Sequence, residues 1–97
     1  MAERRKFTDY ERKNIYARGN GRCAICGRPI DFNSMTVDHK IPLSKGGTNE
    51  LSNLQPACLT CNFLKNGLTM DELEEKMKEI IAYQRKQKFL RVFAKEA

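Results

Sequence analysis

Apolar residues are sparse along this 97-residue chain, and their spacing changes character as the chain proceeds. Thr8-Asp9-Tyr10-Glu11 has the form of a capping box, in which the threonine hydroxyl and the glutamate carboxylate satisfy the first free amides of a helix. The few apolar residues after it (Tyr10, Ile15, Tyr16, Ala17) predict a short surface helix over about 9–18, stopped by Gly19-Asn20-Gly21, with Arg12, Lys13 and Arg18 outward. Met35-Thr36-Val37-Asp38-His39 contains a β-branched pair and predicts a short strand. Pro42 and the run Ser44 to Asn49 force an exposed loop, and Leu54 to Ala57 predicts the returning strand. From Cys58 the chain reads as helical to about Asn66, where Gly67 ends it. A second capping box, Thr69 to Glu72, opens a long helix over about 70–94, with Leu73, Met77, Ile80 and Ile81 at helical spacing. Its acids come early and its bases late, as the helix macrodipole favours. Phe7, Phe63, Leu73, Met77 and Ile80 are the expected core.

These elements make one small α+β domain, and so few core residues give marginal stability. A structural metal would supply folding energy that the apolar residues cannot. The cysteines fit that role. Cys23-Ala-Ile-Cys26 and Cys58-Leu-Thr-Cys61 are two Cys-x-x-Cys pairs with thirty-one residues between them, and they account for every cysteine present. Four thiolates at that spacing close a tetrahedral structural zinc site, which leaves no open position for water. Met1-Ala-Glu-Arg-Arg-Lys6 is charged without a following apolar region, and no apolar run approaches the ~20 residues of a membrane span. A soluble, cytoplasmic protein is expected, and in that compartment the cysteines are metal ligands rather than disulfides.

The net charge of +6 is uneven. Residues 1–28 hold eight Lys/Arg against three acids, whereas residues 29–66 balance three against three. A basic first third beside a neutral centre suits a polyanion, nucleic acid being the commonest, although solubility charge gives the same composition.

His39 is the only histidine, and the cysteines leave it spare, beside Asp38, in a segment that a metal would hold rigid. That combination points to a catalytic base. The order Val37-Asp38-His39-Lys40-Ile41-Pro42-Leu43-Ser44-Lys45-Gly46-Gly47, then Asn53-Leu54-Gln55, then Cys58-Leu59-Thr60-Cys61-Asn62-Phe63-Leu64-Lys65 resembles the zinc-binding branch of the HNH endonucleases. The resemblance covers about 22–66 and implies a zinc-stapled ββα-metal core, with the predicted flanking helices completing one nuclease domain over 1–97. It implies His39 as general base, Asp38 and Asn62 as oxygen ligands of a catalytic Mg²⁺ or Mn²⁺, and Asn53 as the residue fixing the loop and, through it, the imidazole. Asn62 stands where the family name has a histidine.

The substrate so implied is DNA, hydrolysed at phosphodiester bonds, with Arg12, Lys13, Arg18, Lys40, Lys45 and Lys65 as candidate backbone contacts. The expected form is a monomer or weak dimer, alone or within a larger phage or restriction assembly, with no membrane partner. Two plainer readings stand beside this one. A noncatalytic zinc-ribbon nucleic-acid-binding module needs the cysteines and bases but not Asp38, His39 or Asn62, which also suit turns and helix caps. An adaptor needs the apolar side chains of the last helix, Phe89 and Phe93 among them, to be exposed.

Overall fold

The computed structural model describes residues 5–96, with side chains through residue 92. Residues 1–4, which bear on the expected lack of a leader, and the side chains of Phe93 and Lys95 lie outside the described residues. The chain is a small α+β fold in the order α1 (Asp9–Arg18), β1 (Thr36–His39), β2 (Leu54–Ala57), α2 (Leu59–Lys65) and α3 (Met70–Glu96). Single 3-10 turns at Phe32–Ser34, Leu43–Lys45 and Leu51–Asn53 bend the connections. None of the described helices is long and apolar enough to cross a membrane.

The capping box of α1 forms as its residues dictate. Thr8 Oγ1 accepts from the Glu11 amide at 3.2 Å, and the Thr8 amide donates to Glu11 Oε1 at 3.0 Å. One residue of the helix, Ile15, is driven fully into the interior, while the Tyr16 hydroxyl donates to the Ile30 carbonyl at 2.8 Å. Arg12 departs from the expected outward face. Its guanidinium is half-buried over the Phe32 ring and donates to the carbonyls of Phe32 and Met35, at 3.2 and 3.0 Å, which pins α1 to the turn before β1.

The two strands pair antiparallel in the register Thr36↔Ala57, Val37↔Pro56, Asp38↔Gln55, His39↔Leu54. A two-stranded sheet has a free edge on each strand, so Pro56, which lacks an amide proton, is tolerated in β2. Its carbonyl accepts from the Ala24 amide at 2.9 Å and so ties the first cysteine segment to the sheet.

The core consists of two small clusters. Ile15, Met35 and Leu54 form one, with Phe7, Tyr16, Ile30 and Val37 packed around them. Cys23, Ala57 and Cys61 form the other. Leu54 and Ala57 are three apart on β2 and so face opposite sides of the sheet, which is how one strand serves both.

Three expected core residues lie elsewhere. Phe63 is 78% exposed: Cys61 and Lys65, one turn apart, define the buried face of α2, and Phe63, two residues from each, falls on the opposite side of the helix. Met77 and Ile80 are also exposed. Thr69 and Glu72 cap α3 and Leu73 is buried, but a helix of 27 residues is ~40 Å long and outruns the body it starts from. Ile81, Tyr83, Phe89, Leu90 and Val92 are exposed along the same helix.

Candidate functional site

The four cysteines converge. Their sulfurs all lie within 4.8 Å of one another, an arrangement able to hold one metal ion such as zinc. Each pair is built by a local turn. In the first, Gly27 adopts φ 77°, a left-handed conformation open to glycine, and its amide donates to the Cys23 carbonyl at 2.9 Å. The amides of Ile25 and Cys26 point at Cys23 Sγ, at 3.4 and 3.5 Å. In the second, Cys58 is the N-cap of α2 and its sulfur accepts from the Cys61 amide at 3.4 Å. Burial pushes the Cys23 thiol up, but the amides of Cys26, Cys58 and Ile25 outweigh it and bring its pKa down to about 7. Burial and the crowding of the other three thiols push Cys61 up. Sulfurs that disfavour one another's charge in this way are relieved by a shared cation.

α2 carries a second set of groups to the strand ends. Asn62 follows Cys61 directly, and Lys65 follows one turn later. Asp38, His39, Asn62 and Lys65 line one cleft of about 330 Å³, with Pro42, Leu43, Ser44, Asn66 and Gly67 as its rim. Asp38 and His39 occupy opposite faces of β1, yet both reach this cleft, because His39 is the last residue of a ladder only two strands wide. His39 and Asn62 also line a neighbouring cleft of about 390 Å³ whose other walls include Arg5, Lys6, Phe7 and Arg12.

Asn53 ties down the loop after β1. Its Oδ1 accepts from the Ile41 amide at 2.9 Å, and its Nδ2 donates to the Ile41 and Thr48 carbonyls at 3.0 and 2.8 Å. Gly47 belongs to the same closure, since a Cβ there would stand 1.8 Å from the Ile41 carbonyl oxygen.

Two contributors had no signal in the sequence. Asn49 Oδ1 lies 2.8 Å from His39 Nε2. An amide oxygen only accepts, so Nε2 is the donor of this pair. Asn49 stands in a Gly-Gly-Thr-Asn run that reads as ordinary turn chemistry, and nothing in it distinguishes this asparagine. Gln55 is the cross-strand partner of Asp38 and donates to its Oδ2 at 2.9 Å; the strand register, once known, would have found it.

Lys65, expected at a DNA phosphate, is withdrawn from the surface. Its side chain is 2% exposed, and its ammonium lies 3.3 and 3.2 Å from the two Asp38 oxygens and 2.7 Å from the His39 carbonyl. Arg12 is committed to carbonyls as described, and Arg18 donates to the Leu51 carbonyl at 3.2 Å from an exposed position. Lys13 and Lys40 are exposed. Lys45 pairs with Glu72 and ties the loop after β1 to the start of α3; its ammonium, helped by the Thr69 amide and hydroxyl, holds the Glu72 carboxyl at a pKa of about 2. Arg5, unforeseen, does the same for Glu11, also held at about 2, and stacks over Phe7.

Residues 23–67 match the family described as HNH endonuclease. A 55-residue stretch, 56% of this chain, is 40% identical to the CRISPR-associated endonuclease Cas9 of Corynebacterium diphtheriae and spans 5% of that protein. The crystal structure of a type II restriction endonuclease shares the fold, with a TM-score of 0.56 at 22% identity over 69% of this chain and 33% of that one.

Proposed function

We propose, from the match of residues 23–67 to the HNH endonuclease family, that this chain is a metal-dependent DNA endonuclease acting as a single domain over 1–97. The observation that carries the reading is the meeting of Asp38 and His39 from β1 with Asn62 from α2 in one cleft, the imidazole held by Asn49 and α2 bringing Cys61 and its N-cap Cys58 to the metal cluster.

The cysteine quartet would hold a structural zinc. Thiolates suit that ion, and four of them leave it no position for chemistry. A buried carboxylate and an amide oxygen are a hard donor pair that fits Mg²⁺ or Mn²⁺, and the cation that already sits against Asp38 marks the spot as one for positive charge. Asp38 and Asn62 would hold that ion, which when bound neutralises charge building on the scissile phosphate and its leaving oxygen.

The remaining steps belong to the chain. Asn49 keeps the His39 proton on Nε2, so Nδ1 takes the proton of the attacking water. The water oxygen bonds to phosphorus, the bond to the 3′ oxygen breaks, and that oxygen takes up a proton from solvent. Asn53 keeps the loop beyond His39 closed while this happens. Lys13, Arg18 and Lys40, together with Lys6 in the neighbouring cleft, hold the DNA backbone.

A supercoiled-plasmid assay with Mg²⁺, Mn²⁺ or a chelator, comparing wild type with His39→Ala, tests the proposal. Ion-dependent nicking or linearisation that His39→Ala loses is expected. Cleavage that survives His39→Ala refutes the base assignment. DNA binding with no cleavage under either ion would favour a noncatalytic zinc-ribbon module.

A further inference from the structure

The buried lysine of α2 has no part in the chemistry above, and its placement demands an account. Lysine is rarely buried without a partner, and a buried carboxylate likewise needs one. Here each answers the other. Lys65 is 2% and Asp38 8% exposed, and the ammonium reaches both carboxylate oxygens as well as the His39 carbonyl. Gln55 occupies a further lone pair of Asp38 Oδ2.

We propose that Lys65 is a resident counter-ion of the cleft: its ammonium neutralises Asp38 and braces the His39 backbone when no divalent ion is bound, and it competes with that ion for Asp38. The inference rests on the reading of Asp38 as a metal ligand. Its physical basis is the shared carboxylate. Asp38, Asn62 and Lys65 line the same cleft, so a dication held by Asp38 and Asn62 arrives within a few ångströms of a fixed ammonium. In a partly desolvated site such like charges repel strongly. The ion must either bind against that repulsion or displace the ammonium from the carboxylate. Both weaken its binding. The same ion pair stabilises the ion-free fold, since removing one partner of a buried pair leaves the other uncompensated.

Lysine therefore sets two properties in opposite directions. Lys65→Met should lower the thermal midpoint of the ion-free, zinc-loaded protein and raise its Mn²⁺ affinity about tenfold, read by electron paramagnetic resonance titration without DNA. The Mn²⁺-induced rise in thermal midpoint should be larger in the variant than in wild type. Lys65→Gln, which keeps a donor for the His39 carbonyl, should bind Mn²⁺ more tightly than wild type if the methionine variant does not fold. Lys65→Arg, which keeps the charge, should show no gain. Mn²⁺ affinity unchanged or weakened in the neutral variants overturns the counter-ion role while leaving the metal site standing. Absence of Mn²⁺ binding in wild type and neutral variants alike, equal to that of Asp38→Ala, overturns the metal-ligand reading and this inference with it.

Discussion

Asn53 closes the loop after β1 with three hydrogen bonds, and two substitutions there separate lost contacts from introduced repulsion. Asn53→Ala removes all three. At ~1 kcal/mol each, reduced because the side chain is only half-buried and water replaces part of the loss, the expected destabilisation is about 2 kcal/mol. Asn53→Asp keeps the acceptor for the Ile41 amide but puts a second carboxylate oxygen where Nδ2 lay 3.0 and 2.8 Å from two carbonyl oxygens. Two donors are lost and a charged acceptor now faces acceptors, so the expected cost is about 3–4 kcal/mol. Both figures are large beside the ~5–15 kcal/mol that chains of this length command. Urea denaturation of the metal-loaded protein, followed by far-ultraviolet circular dichroism, reads the difference. With a slope of ~1.5 kcal/mol/M, the midpoint should fall by ~1.3 M for alanine and by ~2 M or more for aspartate. An aspartate variant as stable as the alanine variant would mean that the Asn53 amide does not donate to Ile41 and Thr48.

Three further outcomes are expected. Chelation of the metal in the cysteine quartet should unfold the chain rather than only inactivate it; metal analysis finding no zinc, or a stable fold after complete removal, contradicts this. His39→Ala should depress the maximal cleavage rate by about 10²–10⁴-fold, with little change in the ion concentration for half-maximal cleavage or in the salt-sensitive DNA affinity. Binding lost as thoroughly as cutting would remove the general-base assignment. Asn62→His should remain active and accept Co²⁺ and Ni²⁺ as well as Mn²⁺, because imidazole binds these ions better than an amide does. An inactive variant with its fold intact places Asn62 away from the catalytic ion.

The sequence was most legible where local rules decide the outcome. Capping residues, the glycines after α1 and α2, and the β-branched Thr36-Val37 pair locate α1, β1, the end of α2 and the start of α3 to within a few residues, because each acts on its own backbone. The cysteine spacing was legible because the two pairs share one chemistry. What the sequence withheld depends on partners distant along the chain. Helical spacing in α3 promised a buried stripe, but periodicity does not say where the body ends, and Met77 and Ile80 lie past it. Phe63 is apolar on a helix whose orientation is set by the sulfurs, so its hydrophobicity does not decide its face. The partners of Arg12 and Lys65 lie 20 or more residues away, and a basic residue in sequence gives no sign of being committed inward. Asn49 became visible only once the imidazole had a position.

The quartet also changes what the chain is as a connected object. Its sulfurs come from two segments, so a bound metal closes the backbone between Cys26 and Cys58 into a ring, with α1 and α3 outside it. A ring survives one cut. Cleavage at the exposed Lys45–Gly46 peptide bond would open it without releasing either half, because the ion and the β1–β2 ladder still hold both. The nicked protein should migrate as one species on a native gel and separate into two fragments on chelation. The same connectivity makes Lys45–Gly46 the place where added residues should be accommodated, whereas Gly47, packed on the Ile41 carbonyl, marks where that tolerance ends.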